Sequence, residues 1–469
     1  MSATESTARI GLSRWTLPAA PLSRLGNEAA AVAILTAIFL APAIANGFPI
    51  IFYDTGAYVL QGFEHVFIPE RSPVYSLFLE YALGPRSLWY VAVVQCAIVA
   101  FAVVQFTRAL KPQMQLWTLL AIGALLALAT GLPWYSGQIE PDCFAAVGPV
   151  AIYLLAFHRV GPARGLLLAL LGALSIAMHS SHLAVCAGLV LALAALRLAA
   201  TFNPQLGRPS LAVPGISVVA GLALVLAANY NLTRHVFFSR AGAVFLSARM
   251  MQDGLINPVL DEECPNPAIR LCVYRDALPR RADAYLWDEK TSAFFRLGGF
   301  RRMEAESALL VRESLKRAPL ENLAWAGIDT ALQFFAYPTG DGIVPQEWVL
   351  DPEFRRTIPR QMKDYQGAYQ QRGDLWFLPL NLVHVPVALA SVVLLYVFLR
   401  RALRAKDWNA ARLPAFVLLA LLGNAFICGV FSGPHYRYQS RMMWWPALAA
   451  ILIAAPRIPA LRHGFESVT

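Results

Sequence analysis

The chain has 469 residues, of which 57% are hydrophobic and 14% charged, and its mean hydropathy is +0.51. A soluble domain carries roughly a quarter charged residues, so this composition excludes an ordinary soluble protein and specifies one that crosses a membrane many times. The net charge of +10 would suggest nucleic acid as the partner of a soluble chain. In a membrane protein the position of each Lys and Arg relative to the spans carries the information instead, and no nucleic-acid partner is expected.

Crossing about 30 Å of hydrocarbon takes roughly 17–25 apolar residues. Runs of this kind predict spans at 29–47, 87–110, 115–132, 142–157, 211–229, 375–399, 411–431 and 442–456. The double-length run 165–198 is interrupted by Met178-His179-Ser180-Ser181-His182 and reads as two short spans meeting in a polar turn. Residues 72–83 contain Pro73 and Glu80 and read as a surface helix. The expected fold is therefore an all-α polytopic membrane protein with about ten transmembrane helices. Its parts are a cytoplasmic N-terminus (1–28), a transmembrane module (29–229) with a first outer loop at 48–86, a mostly helical extracytoplasmic segment (230–374) between the seventh and eighth spans, and C-terminal transmembrane helices (375–469).

The loops assigned to one side carry Arg9, Arg14, Arg24, Arg108, Lys111, Arg159, Arg164, Arg197, Arg208, the run Arg400 to Arg412, Arg457 and Arg462, sixteen positive residues in all. The short loops on the other side carry only Arg71, Arg86, Arg437 and Arg441. The positive-inside rule then places both termini in the cytoplasm. Segment 230–374 stays out of this count because long translocated regions do not obey the rule; it holds nineteen positive residues and nineteen acids. Ala43-Ile44-Ala45 resembles a signal-peptidase site, but the long basic stretch before it and the many later spans favour an uncleaved signal anchor.

Four polar clusters fall on the outer side. The first is Phe52-Tyr53-Asp54-Thr55-Gly56-Ala57-Tyr58, with Glu64, Glu70 and Arg71 downstream. Asp54 reads either as the N-cap of a short helix or as a functional carboxylate, partly desolvated beside Tyr58 at the membrane edge. The second is Glu140-Pro141-Asp142, which fits a helix start and a second acidic site equally well. The third is His179 and His182, three residues apart on one helical face; a pair lacking a third fixed ligand is a weak metal signal, and the alternative is a satisfied polar turn. The fourth is His435-Tyr436-Arg437-Tyr438-Gln439-Ser440-Arg441, whose guanidinium donors suit a phosphate, against the alternative of snorkelling arginines in an aromatic belt. Cys264 and Cys272 are the only cysteines outside apolar runs and are expected to pair in an oxidising compartment. The chain carries no nucleotide-binding loop, dinucleotide fingerprint, HExxH motif or internal repeat.

The order of these features resembles the GT-C superfamily of membrane glycosyltransferases, which includes the protein mannosyltransferases and the aminoarabinose transferases of lipid A. The resemblance is carried by a first span, an outer loop with Asp54 and Arg71-Ser72-Pro73-Val74-Tyr75, and Glu140-Pro141-Asp142 at the head of a later span, over about the first 200 residues. It implies a sugar donor on a polyprenyl phosphate, an acceptor that is a glycan, lipid or protein, and a loop acid that serves as base or helps organise a divalent metal ion. That acid corresponds to Asp54, with inverting transfer. Arg437, Arg441, Arg71 and His182 would bind the donor phosphate, and Glu140, Asp142, His179, Tyr58 and Tyr436 would form a substrate or second acidic site. Asp54 is a single acid and not an adjacent acidic pair, which leaves metal dependence open. The expected setting is a bacterial inner (plasma) membrane, in cell-envelope glycan biosynthesis, with the site on the periplasmic face. Two other classes fit the same residues: a transporter or flippase of a lipid-linked or anionic substrate, and a polymerase or ligase of lipid-linked glycans. The acids lie at the membrane edge and not at its midplane, and no repeat is present, which favours an enzyme over a transporter.

Overall fold

The computed structural model describes residues 22–457. Arg9, Arg14 and Arg462, three of the charges used above to orient the chain, lie outside the described residues, as does most of the 1–28 segment.

Among the described residues the protein is all-helical, with one isolated parallel bridge between Ile50 and Gln138. In chain order, α1 (Leu22–Asn46) leads into two short helices of the first loop, α2 (Thr55–Glu64) and α3 (Pro73–Tyr81). Then come α4 (Leu88–Leu110), α5 (Leu116–Ala129), α6 (Leu132–Ser136), α7 (Val147–Phe157), α8 (Pro162–Ala177), α9 (Ser180–Phe202) and α10 (Ala212–Thr233). The next segment is built from α11 (Gly242–Gln252), α12 (Asn257–Glu263), α13 (Ala282–Trp287), α14 (Ala293–Arg296), α15 (Gly299–Arg302), α16 (Glu304–Arg317), α17 (Pro319–Phe334), α18 (Glu347–Thr357) and α19 (Met362–Gly367). Finally there are α20 (Leu378–Arg404), α21 (Trp408–Ser432), α22 (Tyr436–Ser440) and α23 (Trp444–Ala454).

Six of these helices, α1, α4, α9, α10, α20 and α21, are long and apolar enough to cross a membrane. Four further apolar runs fold as the shorter helices α5, α7, α8 and α23, of 14, 11, 16 and 11 residues. α4 and α21 lie at the centre, each with 61% of its apolar window buried, whereas α9, α10 and α20 are peripheral at 33%, 33% and 28%. The peripheral helices turn Leu191, Leu222, Leu382 and Leu389 outward. Hydrocarbon accepts such a surface and asks only that backbone polar groups be satisfied within the helix.

Inside the bundle small residues set the close approaches. Gly123 of α5 lies against Leu35 of α1, and Gly221 of α10 against Ile176 of α8, the packing that membrane helices use in place of a hydrophobic driving force. The few buried polar side chains act as cross-links. Gln95 of α4 donates to the carbonyls of Ser136 (3.2 Å) and Gln138 (2.6 Å) and accepts from the Tyr75 hydroxyl of α3 (2.7 Å). One amide thus fixes the loop that leads to Glu140.

Two apolar clusters form. The larger fills the helical bundle and includes Tyr58 and Tyr75, so α2 and α3 are packed into the bundle and do not float on its surface. The smaller, around Val244, Ile256, Phe294 and Leu310, belongs to the first part of segment 230–374. That segment is divided: Leu350, Phe354, Met362 and Tyr365 of α18 and α19 join the larger cluster. The sulfurs of Cys264 and Cys272 are bonded at the edge of the smaller one.

α2 and α3 meet at Gly62, where an added Cβ would collide with the Ser76 carbonyl. Gly62→Val is expected to lower stability in detergent by about 1–3 kcal/mol, the usual cost of overpacking, as read by thermal unfolding. Gly215→Ala, at an open position on α10, should leave the midpoint unchanged.

Candidate functional site

The chain leaving α1 is pinned before it reaches Asp54. Ile50 donates to Gly137 O (3.1 Å) and accepts from Ile139 N (2.8 Å). Ile51 donates to Gln370 Oε1 (3.0 Å) and accepts from Gln370 Nε2 (2.7 Å), and Gln370 N donates to Asn46 Oδ1 (2.7 Å). Residues far away in sequence on both sides therefore hold the Asp54 loop. Asp54 stands at the N-cap position of α2, yet its side chain caps nothing. Thr55 Oγ1 does the local work, accepting from Phe52 N (3.0 Å) and donating to Ile139 O (3.0 Å). That leaves the Asp54 carboxylate for charge pairing.

Asp54 Oδ1 accepts from Arg71 Nη2 at 2.6 Å, and Asp54 Oδ2 lies 3.7 Å from Arg437 Nη2. Arg437 Nη1 is 3.5 Å from Asp142 Oδ2, and Asp142 Oδ1 accepts from Arg441 Nη1 at 2.5 Å. The result is an alternating row, Arg71, Asp54, Arg437, Asp142, Arg441, in which three guanidinium groups share two carboxylates. Aromatic rings flank it: Arg437 lies over Phe52 (4.1 Å) and Tyr438 (4.8 Å), and Arg71 over Trp287 (5.3 Å) and Tyr58 (5.9 Å). Such stacking suits a weakly hydrated guanidinium in a low-dielectric setting. Arg437 N also donates to Asp341 Oδ2 (3.2 Å), which fixes the start of α22.

Glu140 is buried and lies 3.5 Å from Thr55 Oγ1, and burial, followed by the Asp54 and Asp142 charges, pushes its carboxyl well above the ordinary range, which favours its protonated form. His179 is kept neutral as well, because burial and its neighbour His182 push its ring well below the usual imidazole value. His179 Nδ1 accepts from Ser181 N (3.2 Å), while His182 Nδ1 donates to Ser175 O (3.0 Å). The row itself holds three guanidinium groups against two carboxylates, with Glu70 beside Arg71 and Asp341 at the Arg437 backbone as further acids lining the same cavity.

A cavity of about 2590 Å³ runs along this row. Asp54, Tyr58, Arg71, His179, Tyr436 and Arg437 line it; Glu140, Asp142, His182 and Arg441 stand behind the wall. Arg441, read above as a phosphate ligand, is fully buried behind the wall, with Nη1 on Asp142, Nη2 near Ser181 Oγ (3.4 Å) and Cys428 Sγ (3.5 Å), and Nε without a hydrogen-bond partner. The apolar part of its lining includes Val225, Phe237, Phe238, Leu246, Ile427 and Phe431. Segment 230–374 adds Arg281, Asp283, Asp288 and Glu289, together with Trp287, which stacks on Arg71. Among the described residues no group of three or more His, Cys, Asp or Glu side chains is placed to hold a metal ion.

Asp341 and Gln370 are the site residues that sequence reasoning missed. Each is an unremarkable residue in a segment of soluble-like composition, and nothing local marks it. Comparison with family models, with curated proteins and with solved structures returned no match.

Removing one partner of a buried pair leaves an uncompensated charge at a cost of about 3–5 kcal/mol. Arg441→Ala is therefore expected to lose folded protein, read as yield of monodisperse material in detergent. Glu140→Gln should behave oppositely. A buried acid with a raised value takes up a proton on folding, so the wild type loses stability as pH rises above about 4.3 toward the folded-state value. The glutamine variant should lack that decline when midpoints are followed across the same range.

Proposed function

We propose that the protein is an inverting membrane glycosyltransferase of GT-C type that moves a sugar from a polyprenyl-phosphate donor to an acceptor hydroxyl on the extracytoplasmic face. The observation that carries this reading is the unbalanced row at the cavity wall: three arginines against two carboxylates, with Arg71 and Arg437 exposed to the cavity and Arg71 Nε buried without a hydrogen-bond partner. A site of this charge attracts an anion. The apolar part of the lining suits a lipid chain, and the whole cavity exceeds the roughly 300–1,000 Å³ of a single small-ligand pocket, leaving room for donor and acceptor together.

In this reading the donor phosphate binds Arg71 and Arg437 and competes with Asp54 for them, which frees a carboxylate oxygen for the acceptor. The acceptor hydroxyl gives its proton to Asp54 as its oxygen bonds to the sugar anomeric carbon. The bond from that carbon to the phosphate oxygen breaks, and its electron pair leaves with the polyprenyl phosphate. The arginines stabilise the charge that grows on the leaving group. Asp142 and Arg441 position Arg437 from behind, and Glu140 supports the Asp54 loop. If a divalent ion takes part beside the donor phosphate, Asp54 is the carboxylate of the row that lines the cavity and would meet it.

The same proposal takes α5, α7, α8 and α23, with the turns that extend them, as membrane crossings, for ten in all. Both termini would then face the cytoplasm and the site the periplasm of a bacterial inner membrane, as the Lys/Arg asymmetry requires.

Purified protein in nanodiscs, assayed with a panel of polyprenyl-phosphate sugars, is expected to release polyprenyl phosphate. A general base contributes about 10²- to 10⁴-fold, so Asp54→Asn, compared per amount of monodisperse protein, should lose turnover by that factor, and Arg437→Ala should weaken binding of polyprenyl phosphate itself. Wild-type transfer by Asp54→Asn would remove Asp54 from the mechanism. Passage of intact donor across vesicles without sugar release would point to a flippase.

A further inference from the structure

Helix α17 carries its polarity inside out. Its buried side chains are polar: Asn322, Asp329 and Gln333 are all less than a tenth exposed. Apart from Glu321 in its first turn, its large exposed side chains are apolar: Leu320 (79%), Leu323 (70%), Ile328 (45%) and Leu332 (58%), continuing to Phe335 (61%) just past its end. They spread over about half of the helix circumference, the half opposite Asn322, Asp329 and Gln333, and beyond the first turn no charged residue lies among them. A water-facing helix shows the reverse arrangement.

Each inward polar side chain contacts a neighbouring element, although Asn322 Oδ1 has no hydrogen-bond partner. Asn322 Nδ2 donates to Ser314 Oγ (3.2 Å), Asp329 lies 3.5 Å from Arg249, and Gln333 exchanges hydrogen bonds with His435 N (2.8 Å) and His435 O (2.9 Å). The helix therefore has a specific seat, and its apolar face is turned outward in that seat.

The surroundings identify what covers it. α17 packs along α21, a candidate membrane span, with Gly429 of α21 against the Asp329 carbonyl. Leu422 and Phe426, two turns and one turn before Gly429 on the same side of α21, are also exposed, so the α17 stripe continues an apolar surface that already belongs to a spanning helix. Arg312 and Lys316 in the last turns of the preceding α16 are exposed, each paired with Glu313, and line the cavity; a charged helix end of this kind suits the headgroup level.

We infer that α17 is seated in the bilayer, with its apolar stripe against acyl chains and the end of α16 at the headgroups, although it lies in a segment whose composition marks it as extramembrane. At 16 residues and about 1.5 Å per residue it cannot cross about 30 Å of hydrocarbon, so it forms a wedge within one leaflet. Leu332 of α17 and Ala336 just after it line the cavity, so this seat places one cavity wall at the lipid boundary. The inference stands independently of the transferase reading.

The test uses full-length protein with a single added cysteine, Ile328→Cys or Leu323→Cys, at sites where the native side chain already points outward. The four free native cysteines are buried and the other two are bonded, so a thiol-reactive environment-sensitive fluorophore reports the new position alone, and unlabelled wild type checks this. Reconstituted in phosphatidylcholine vesicles, both labels should emit in the blue and lose most of their emission to lipid bearing an acyl-chain nitroxide, with little loss to aqueous iodide. Asp276→Cys, at a 92% exposed side chain, should show the opposite pattern. Quenching of both stripe labels by iodide and not by nitroxide lipid overturns the inference, as does disulfide-linked dimerisation through Ile328→Cys, which would make a second copy the occupant.

Discussion

Arg437 is the residue on which the site depends. Its guanidinium lies between Asp54 and Asp142 at 3.7 and 3.5 Å, and a carboxylate in a low-dielectric interior persists as an anion only when it is paired. The requirement reaches outward in both directions, to Arg71 beyond Asp54 and to Arg441 beyond Asp142. Five side chains from the first loop, the start of α7 and the α21–α23 connection are thereby held in one row. The short helix α22 that carries Arg437 is itself fixed by the contacts of Asp341 and Gln333 with its first residues, so segment 230–374 helps decide where the central charge sits.

The row is unequal by design of its neighbours. Glu140 and His179 stand beside it, and burial disfavours the charged form of each, while within the row three arginines face two carboxylates. The excess is exposed at the cavity wall through Arg71 and Arg437, whereas Arg441 is spent in the interior. A cavity with cations on one part of its lining and apolar side chains on another accepts an anionic group attached to a hydrophobic chain, and this pairing of features links the electrostatics to the proposed lipid-phosphate donor.

Much of this was legible in the sequence because polar residues at the edge of apolar runs are costly and stand out against their surroundings. Asp54, Arg71, Glu140, Asp142, His179, His182, Arg437 and Arg441 were all found that way, and the structure brings them together. Their division into cavity wall and support was not legible: Arg437 and Arg441 differ by about one helical turn, and only packing decides which one turns to the cavity. Asp341 and Gln370 gave no signal, since they sit in polar stretches where such residues are ordinary. α17 illustrates a further limit. Its periodicity shows two faces, but periodicity alone does not say which face turns inward.

The sequence by itself determined that this is a helical membrane protein and where its apolar runs lie, because the cost of placing charge in hydrocarbon is read directly from composition and order. It also determined which polar clusters interrupt those runs. The tertiary structure decided how the clusters pair, which arginines face the cavity, and how segment 230–374 divides between its own core and the bundle. Charge pairing and side-chain packing join residues hundreds of positions apart, as Gln370 joins Ile51, and no local pattern encodes such a contact.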